Sequence, residues 1–419
     1  MKHLLFIKTA ALALTGIICC ARANGAEQAG ADTTRTGAAW TEDLLEQLEN
    51  MPNIEIGKGI SFASRDNRYK TTIRFRMQNR VGTTFDRNMS LTGTEAQIRR
   101  LRLRFDGHIF SPKLLYSIQL GFSPSDAEDT PVGTDNIVKD AMIYYKPNKS
   151  WSIGFGQTKL KVNRAKINSS GALQFVDRSI VNSTFGADRD FGVFGEYHCG
   201  SVSGFAFSSF ASITMGEGAN WRKSSDNGLA YTARVELFPF GKFHAKGEYT
   251  EGDTFYETTA KLMIGAGYSF NDNARRSNGF SGQILEDTRN IGGYYADLVL
   301  KYRGFALNAD YMGRYASDPA GVNTPAAYIF TGSGANVQAS YLFDSKWELA
   351  LRNSSVIPDK GTRDFAGYKL WNQSSIGLTR YIIGHNLKVQ LDITYNNMKD
   401  AATDGYDHFG ARFQIELGI

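Results

Sequence analysis

Only three cysteines occur in the 419 residues, and two of them, Cys19 and Cys20, fall in a stretch that reads as a removable leader. Lys2 and Lys8 flank the start of an apolar run from Leu4 to Cys20, and Ala21-Arg22-Ala23 follows as a small-residue cleavage pattern. That is the layout of a secretory signal, cut after Ala23. A lipid-modified cysteine is the competing reading, but Gly16, Ile17 and Ile18 make a poor recognition sequence for it. With 1–23 gone, Cys199 stands alone, no intrachain disulfide can form, and a small disulfide-stapled domain is excluded. Beyond the leader there is no run of 18 apolar residues, which excludes a membrane-spanning helix. Proline is scarce as well: of nine, eight sit at expected turns or loops, one of them at a strand's end, and Pro52 precedes the rest. His108, His198, His244, His385 and His408 have no metal-ligand spacing. Gly216-Glu217-Gly218 opens no helix and makes no phosphate cradle. Neither a metal nor another cofactor is expected.

Net charge is small but unevenly placed. The whole chain carries +5, and loss of Lys2, Lys8 and Arg22 leaves +2. Residues 70–104 nonetheless hold nine Lys and Arg against Asp86 and Glu95, and 159–189 hold six against Asp177 and Asp188, so the remainder is acidic. A basic run is usually a solvated face or a nucleic-acid patch, and the backbone decides which. In "RRLRLRF", residues 99–105, a helix would fan the arginines around its axis. A strand puts Arg100, Arg102 and Arg104 on one face and Leu101, Leu103 and Phe105 on the other. Only the strand separates charge from apolar surface.

The same alternation recurs to the end of the chain: Ile73, Phe75 and Met77 against Arg74, Arg76 and Gln78; Leu387, Val389 and Leu391 against Lys388, Gln390 and Asp392; Phe413, Ile415 and Leu417 against Arg412, Gln414 and Glu416. Segments of about ten such residues between turns are the mark of a transmembrane barrel. Short turns, as at Phe110–Lys113, Arg303-Gly304 and 383–386, alternate with long polar stretches at about 86–97, 124–136, 161–187, 214–227, 271–290, 316–333, 356–367 and 398–407. The order holds only if 239–258 is one long connection and not a strand, which yields 16 strands with both barrel ends in the periplasm. Phe110, Tyr144, Tyr145, Trp151, Tyr302, Tyr341, Phe343, Trp347 and Tyr381 crowd the short turns, where an interfacial girdle belongs. The fold class is therefore all-β: a transmembrane antiparallel β-barrel of about 16 strands over 58–419. A lead at 24–57 precedes it, with a short amphipathic periplasmic helix at Thr41–Met51, capped by Thr41. A secreted β-sandwich also alternates, but at this length it would need domain boundaries that the sequence does not show.

In a barrel, an arginine facing lipid at mid-depth costs about 2–4 kcal/mol. Arg100, Arg102 and Arg104 must then face the lumen, and Arg74, Arg76 and Arg80 of the preceding strand join them. Six guanidiniums on adjacent strands repel one another, so they require anionic partners. Fixed acids such as Asp106, Asp140 or Glu416 can serve, and so can mobile anions in the water of the pore.

The stretch "GQTKLKVNRAKINSSGALQFVDRSIVNSTFGADRDF", 156–191, resembles the segment after the fifth strand in the phosphate-selective porin O/P family, particularly its Bacteroidetes members. "RRLRLRFDGHIF", "VKDAMIYYKP" and "GRYA" after "GFALNADYM" are similar to other parts of that family, and the resemblance covers nearly all of the mature chain. It implies a 16-stranded outer-membrane barrel in a Gram-negative bacterium, often a homotrimer, with a long third loop folded inward to narrow the pore. Here that loop is 161–187 and carries Lys161, Arg164 and Lys166, with Lys159 just before it. Lys161-Val162 stands where the family usually has Pro-Gly.

The expected function is passive diffusion of small hydrophilic solutes, with a mild preference for anions such as phosphate. Partners are outer-membrane lipid and small anionic or polar solutes, with no nucleic acid. Arg74, Arg76, Arg80, Arg100, Arg102, Arg104, Lys159, Lys161, Arg164 and Lys166 are the candidate pore-lining, anion-attracting residues. The alternative is a structural or adhesive barrel without an open pore. An enzyme is not expected, although a Ser/His or acid pair far apart in sequence would escape this reading.

Overall fold

The computed structural model describes residues 53–55, 57–127, 137–221, 227–320, 327–399 and 407–419. The expected helix at Thr41–Met51 lies outside the described residues. Among the described residues no helix is long and apolar enough to cross a membrane.

Strands do the crossing. A short hairpin, β1 (Asn53–Glu55) and β2 (Gly59–Ala63), precedes sixteen further strands. The first eight are β3 (Lys70–Asp86), β4 (Leu91–Ile109), β5 (Ser111–Gly121), β6 (Val138–Tyr145), β7 (Trp151–Lys159), β8 (Arg189–Cys199), β9 (Ala206–Thr214) and β10 (Ala230–Phe238). The rest are β11 (Lys261–Arg276), β12 (Ile284–Tyr302), β13 (Phe305–Ala316), β14 (Gly332–Leu342), β15 (Trp347–Pro358), β16 (Leu370–Ile383), β17 (Leu387–Lys399) and β18 (His408–Gly418). Each of β3 to β18 pairs antiparallel with the next, and β18 returns to β3, from His408 opposite Asp86 to Gly418 opposite Arg76. The ring is closed at sixteen strands. Closure matters because hydrocarbon offers no partner to an unpaired N–H or C=O. β2 takes up the part of β3 that β18 does not reach, with Ile60 opposite Ile73 and Ala63 opposite Lys70.

Burial is inverted relative to a water-soluble sheet. In β10, Tyr231, Val235 and Leu237 are exposed on the outer wall, whereas Thr232, Arg234 and Glu236 are buried in the interior. β15 and β17 repeat this, with Leu349, Leu351, Leu391 and Ile393 outside and Glu348, Arg352, Lys388 and Asp392 inside. The run 239–260 contains no strand but two turns, Phe238 to Gly241 and Asp253 to Tyr256, and the 3₁₀ segment His244–Tyr249, so the sixteen-strand count holds as expected.

Two of the expected long loops are mostly strand, with only a short turn between. β3 and β4 are joined by a tight turn in which Asp86 accepts from the backbone N–H groups of Asn88 and Ser90 at 2.9 and 2.8 Å, and β4 already begins at Leu91. Likewise β11 reaches Arg276 and β12 starts at Ile284. These strand ends project past the apolar band, so neither face carries the lipid-facing residues that made the other strands legible. Pro112 also lies inside a strand, β5; the β4–β5 ladder jumps from His108–Leu115 to Ile109–Ser111 and passes over it, so its missing donor is not needed. Of the nine girdle aromatics, Tyr144 and Tyr381 turn inward. Tyr381 is 3 % exposed and donates to Glu348 Oε2 at 2.5 Å. Tyr144 adjoins Tyr145, and alternation lets only one of the two reach the membrane.

Candidate functional site: the pore interior

The loop between β7 and β8, residues 160–188, folds into the barrel. Its apolar residues explain why: Leu160, Val162, Leu173, Phe175, Val176, Val181 and Phe185 are all buried, and full burial of such side chains contributes about 1.5–3 kcal/mol each. The loop lies along the wall made by β13 to β18. Leu173 O accepts from Lys388 Nζ at 2.5 Å and Gln390 Nε2 at 3.1 Å. Val176 N donates to Asp392 Oδ2 at 3.1 Å. Phe175 lies against Gly377, and the Arg352 guanidinium sits 4.3 Å above its ring. At Gly171 a β-carbon would overlap the Glu416 carboxylate and the Arg76 guanidinium, so a larger residue would push these two side chains aside. Ser179 caps the helix Ile180–Phe185 by accepting from Asn182 N.

A second insertion enters from the periplasmic end. Within 239–260, Lys301 Nζ donates to Gly247 O at 2.8 Å, Thr250 O at 3.0 Å and also Gly252 O. Arg164 Nε donates to Glu248 O at 2.7 Å and Arg164 Nη2 to Thr250 O at 3.1 Å. The two insertions meet where Glu251 N donates to Ala172 O at 2.8 Å and Gln174 N donates to Glu251 Oε2 at 2.9 Å.

Two cavities remain beside them. The one toward the long loops, about 690 Å³, is lined by Arg99, Arg100, Arg102, Lys159, Lys166 and Arg178 among others; nine cationic side chains but only two carboxylates, Asp177 and Asp188, face it. The one toward the short turns, about 1010 Å³, includes Lys70, Arg104, Lys161, Lys242 and Lys246. Arg102 and Arg104, successive inward positions of β4, carry one basic wall past the level of the loop.

Most of the expected arginines are neutralised. Asp106 pairs with both Arg74, at 2.7 Å, and Arg104, at 2.8 Å. Arg76 pairs with Glu416 at 3.2 Å, and Arg80 with Glu95 at 2.9 Å and with Asp177. Arg102 Nε donates to Asp126 Oδ1 at 2.9 Å. Lys161 pairs with Glu196 at 2.6 Å, and Lys166 with Asp188. Arg164 departs from expectation: buried and bonded to backbone carbonyls, it holds the two insertions together instead of lining either cavity.

Three cations stand apart. Arg100 donates to the amide oxygen of Gln78 at 2.8 Å. Lys159 donates to Lys166 O and Asn168 O at 2.7 and 3.1 Å. Arg178 donates to Ala165 O and Asn168 O, both at 2.8 Å. None of the three has a carboxylate within ion-pair distance among the described residues, and all line the upper cavity. Burial lowers Arg178 to about 10, still protonated at neutral pH. For Asp177, burial acts upward, but Arg80, Arg412, Arg99 and Arg100 outweigh it and hold the carboxyl far below its ordinary range.

The barrel fold is also what the comparisons with known proteins find. The family model described as phosphate-selective porin O and P matches residues 72–417. The chain belongs to that family. It is an outer-membrane porin of the Gram-negative type, a channel that passes small solutes. No curated protein matches it. Among solved structures, the anion-selective porin from Comamonas acidovorans is similar at TM-score 0.54 and 11% identity, over 84% of this chain and 100% of that one. The outer membrane channel DcaP of Acinetobacter baumannii is similar at TM-score 0.52 and 11% identity, over 86% and 100%. OmpT of Vibrio cholerae in its trimer form follows at TM-score 0.51 and 12% identity, over 83% and 99%. At these identities the likeness is one of fold.

Several interior residues of this porin were not visible in its sequence. Arg99 turns inward because the β3–β4 register shifts there: Gln78 faces Arg100 and Asn79 faces Ile98, leaving Arg99 as the extra residue of a bulge. Lys139 is placed the same way where Gln119 faces Asp140 and Leu120 faces Val138. Arg178, inside an expected loop, had no periodicity to reveal it. Among the described residues no group of three or more His, Cys, Asp or Glu side chains is placed to hold a metal ion.

Proposed function

We propose that this porin is a diffusion channel with a mild preference for small anions, phosphate among them, and that the upper cavity is where anions collect. The observation that carries the reading is the trio Arg100, Lys159 and Arg178, whose hydrogen bonds among the described residues go to neutral acceptor oxygens. Cations with no carboxylate in ion-pair contact, in a confined and partly desolvated space, draw mobile anions and strengthen hydrogen bonds to them. Arg74, Arg76, Arg80, Arg102 and Arg104 contribute less, because Asp106, Glu416, Glu95, Asp177 and Asp126 already cancel them. Lys161 and Lys166 are offset in the same way, and Arg164 acts on the shape of the pore instead. Fields of this kind are screened over about 8–10 Å at physiological salt, so the preference is modest and strongest in dilute electrolyte.

The test is the reversal potential of the protein in a planar bilayer under a tenfold KCl gradient. An anion-preferring value that moves toward zero in the Arg100→Gln/Lys159→Gln/Arg178→Gln protein supports the proposal. An ideal unselective value in the wild type removes it, and the absence of stepwise currents points to a structural barrel. A homotrimer is part of the same proposal; the trimer form of Vibrio cholerae OmpT, which shares the fold, supports it, and mass measurement of the detergent-solubilised protein tests it.

A further inference from the structure

The upper cavity has a second side. Opposite in character to the cations of β4, β7 and the loop, the edge formed by β16 and β17 presents Trp371, Gln373 and Asn396. Trp371 Nε1 and Gln373 Nε2 both donate to Asn396 Oδ1, at 3.2 and 3.0 Å. Two donors on one oxygen fix the orientation of the Asn396 amide, and its nitrogen makes no hydrogen bond among the described residues although the residue is only 6 % exposed. Tethered by its N–H, the indole offers a fixed apolar surface to the cavity. Behind it Tyr368 packs edge-on at 6.3 Å and stacks in turn on Phe330 at 6.4 Å. One rung further out, Tyr328 stacks on Phe365 at 5.6 Å, and Phe365 is 40 % exposed on the loop between β15 and β16. An aromatic row thus leads from the outer loops to the cavity.

A bare phosphate needs only the cations. An indole held beside an unused amide donor, next to uncompensated guanidinium and ammonium groups, matches a solute with an anionic head and a hydroxylated ring. We infer that the upper cavity recognises sugar phosphates: the phosphate on Arg100, Lys159 and Arg178, the C–H face of the ring on Trp371, and a ring hydroxyl accepting from Asn396 Nδ2. Charge-assisted bonds supply the stronger anchor, and the aromatic face with a few converging polar groups supplies selectivity. A volume of about 690 Å³ admits one monosaccharide phosphate with water around it. This rests on the anion-collecting role proposed above.

The experiment is partial block of KCl current through the full-length protein by glucose 6-phosphate, glucose and inorganic phosphate at equal concentrations. The ester should block at a concentration at least fivefold below either of the others. Trp371→Ala and Asn396→Ala should each raise the ester to the level of phosphate and leave phosphate itself unchanged, whereas Trp371→Phe should retain the preference. If Trp371→Ala does not assemble, Asn396→Ala and Trp371→Phe carry the test. An ester that blocks no better than phosphate in the wild type, or a preference that survives in both the Trp371→Ala and Asn396→Ala proteins, overturns the inference and leaves the anion reading intact. If neither anion blocks and the reversal potential is unselective, the anion reading falls and this one with it.

Discussion

The backbone N–H of Glu251 donates to the carbonyl of Ala172 at 2.8 Å, joining a loop that enters the barrel from the outer end to a connection that enters from the periplasmic end. Neither insertion joins the sheet as a strand, so each depends on side chains of the wall and on the other. Lys388, Gln390 and Asp392 grip the first; Lys301 and Arg164 grip the second. The free cross-section of the pore is whatever these anchors leave open.

Lys301 is therefore a determinant of conductance. Lys301→Met removes the ammonium from the carbonyls of Gly247, Thr250 and Gly252. Thr250 O keeps Arg164 and Gly247 O keeps Thr250 N, so among the described residues Gly252 O is the acceptor left unpaired, at about 1–3 kcal/mol. The connection should loosen, with higher and noisier single-channel current and a barrel that still forms. Conductance identical to that of the wild type would show that the insertion does not limit the pore.

The orientation of β4 can be checked by assembly. Leu103→Arg places a charge toward lipid at a cost of about 2–4 kcal/mol and should prevent the shift in gel mobility between unboiled and boiled samples. Arg102→Leu leaves Asp126 without its main partner and should weaken the barrel without blocking assembly. Equal assembly of both variants would reverse the assignment of faces.

Asp177 joins Arg80, Arg99 and Arg412 across the interior. Asp177→Asn removes the charge that offsets them, so the reversal potential should move toward greater anion preference, more so in dilute salt. Arg80→Gln should move it the opposite way, toward cations, because it leaves the Glu95 and Asp177 carboxylates with less compensation. A shift toward cations in the asparagine variant would contradict the charge map.

Glu248 supplies a pH dependence. In the periplasmic connection, burial first and the nearby Glu236 charge second raise its carboxyl from an ordinary 4.5 to about 7. The fold thus prefers the protonated form: its contribution is full below about pH 4.5, declines as pH rises toward 7, and is absent above. At about 1.4 kcal/mol per pKa unit the effect is on the order of 3 kcal/mol. Thermal midpoints of the detergent-solubilised barrel should fall between pH 4.5 and 7.5, and Glu248→Gln should flatten that fall. Parallel curves for the two proteins would assign the dependence to other groups.

What the sequence by itself determined was everything carried by the period of two. Leu391 and Ile393 against Lys388 and Asp392, or Val235 and Leu237 against Arg234 and Glu236, name the two faces of a strand without any knowledge of its neighbours, because lipid and lumen penalise opposite side chains. The parity of turns then set the count at sixteen and made 239–258 a connection. The polar strand ends beyond the membrane escaped this logic, since water on both sides imposes no alternation; hence 86–97 and 271–290 looked like loops. The tertiary structure alone decided which charges are free. Arg76 meets Glu416, Arg80 meets Asp177, and Arg164 meets the carbonyls of Glu248 and Thr250, partners up to 340 residues away in sequence. Arg99 faces inward only because of a bulge, and Arg178 lines the cavity only because a loop rich in buried apolar residues folds into the barrel. Pairing and exposure arise from closure of the ring and from insertion, and local pattern carries no record of either.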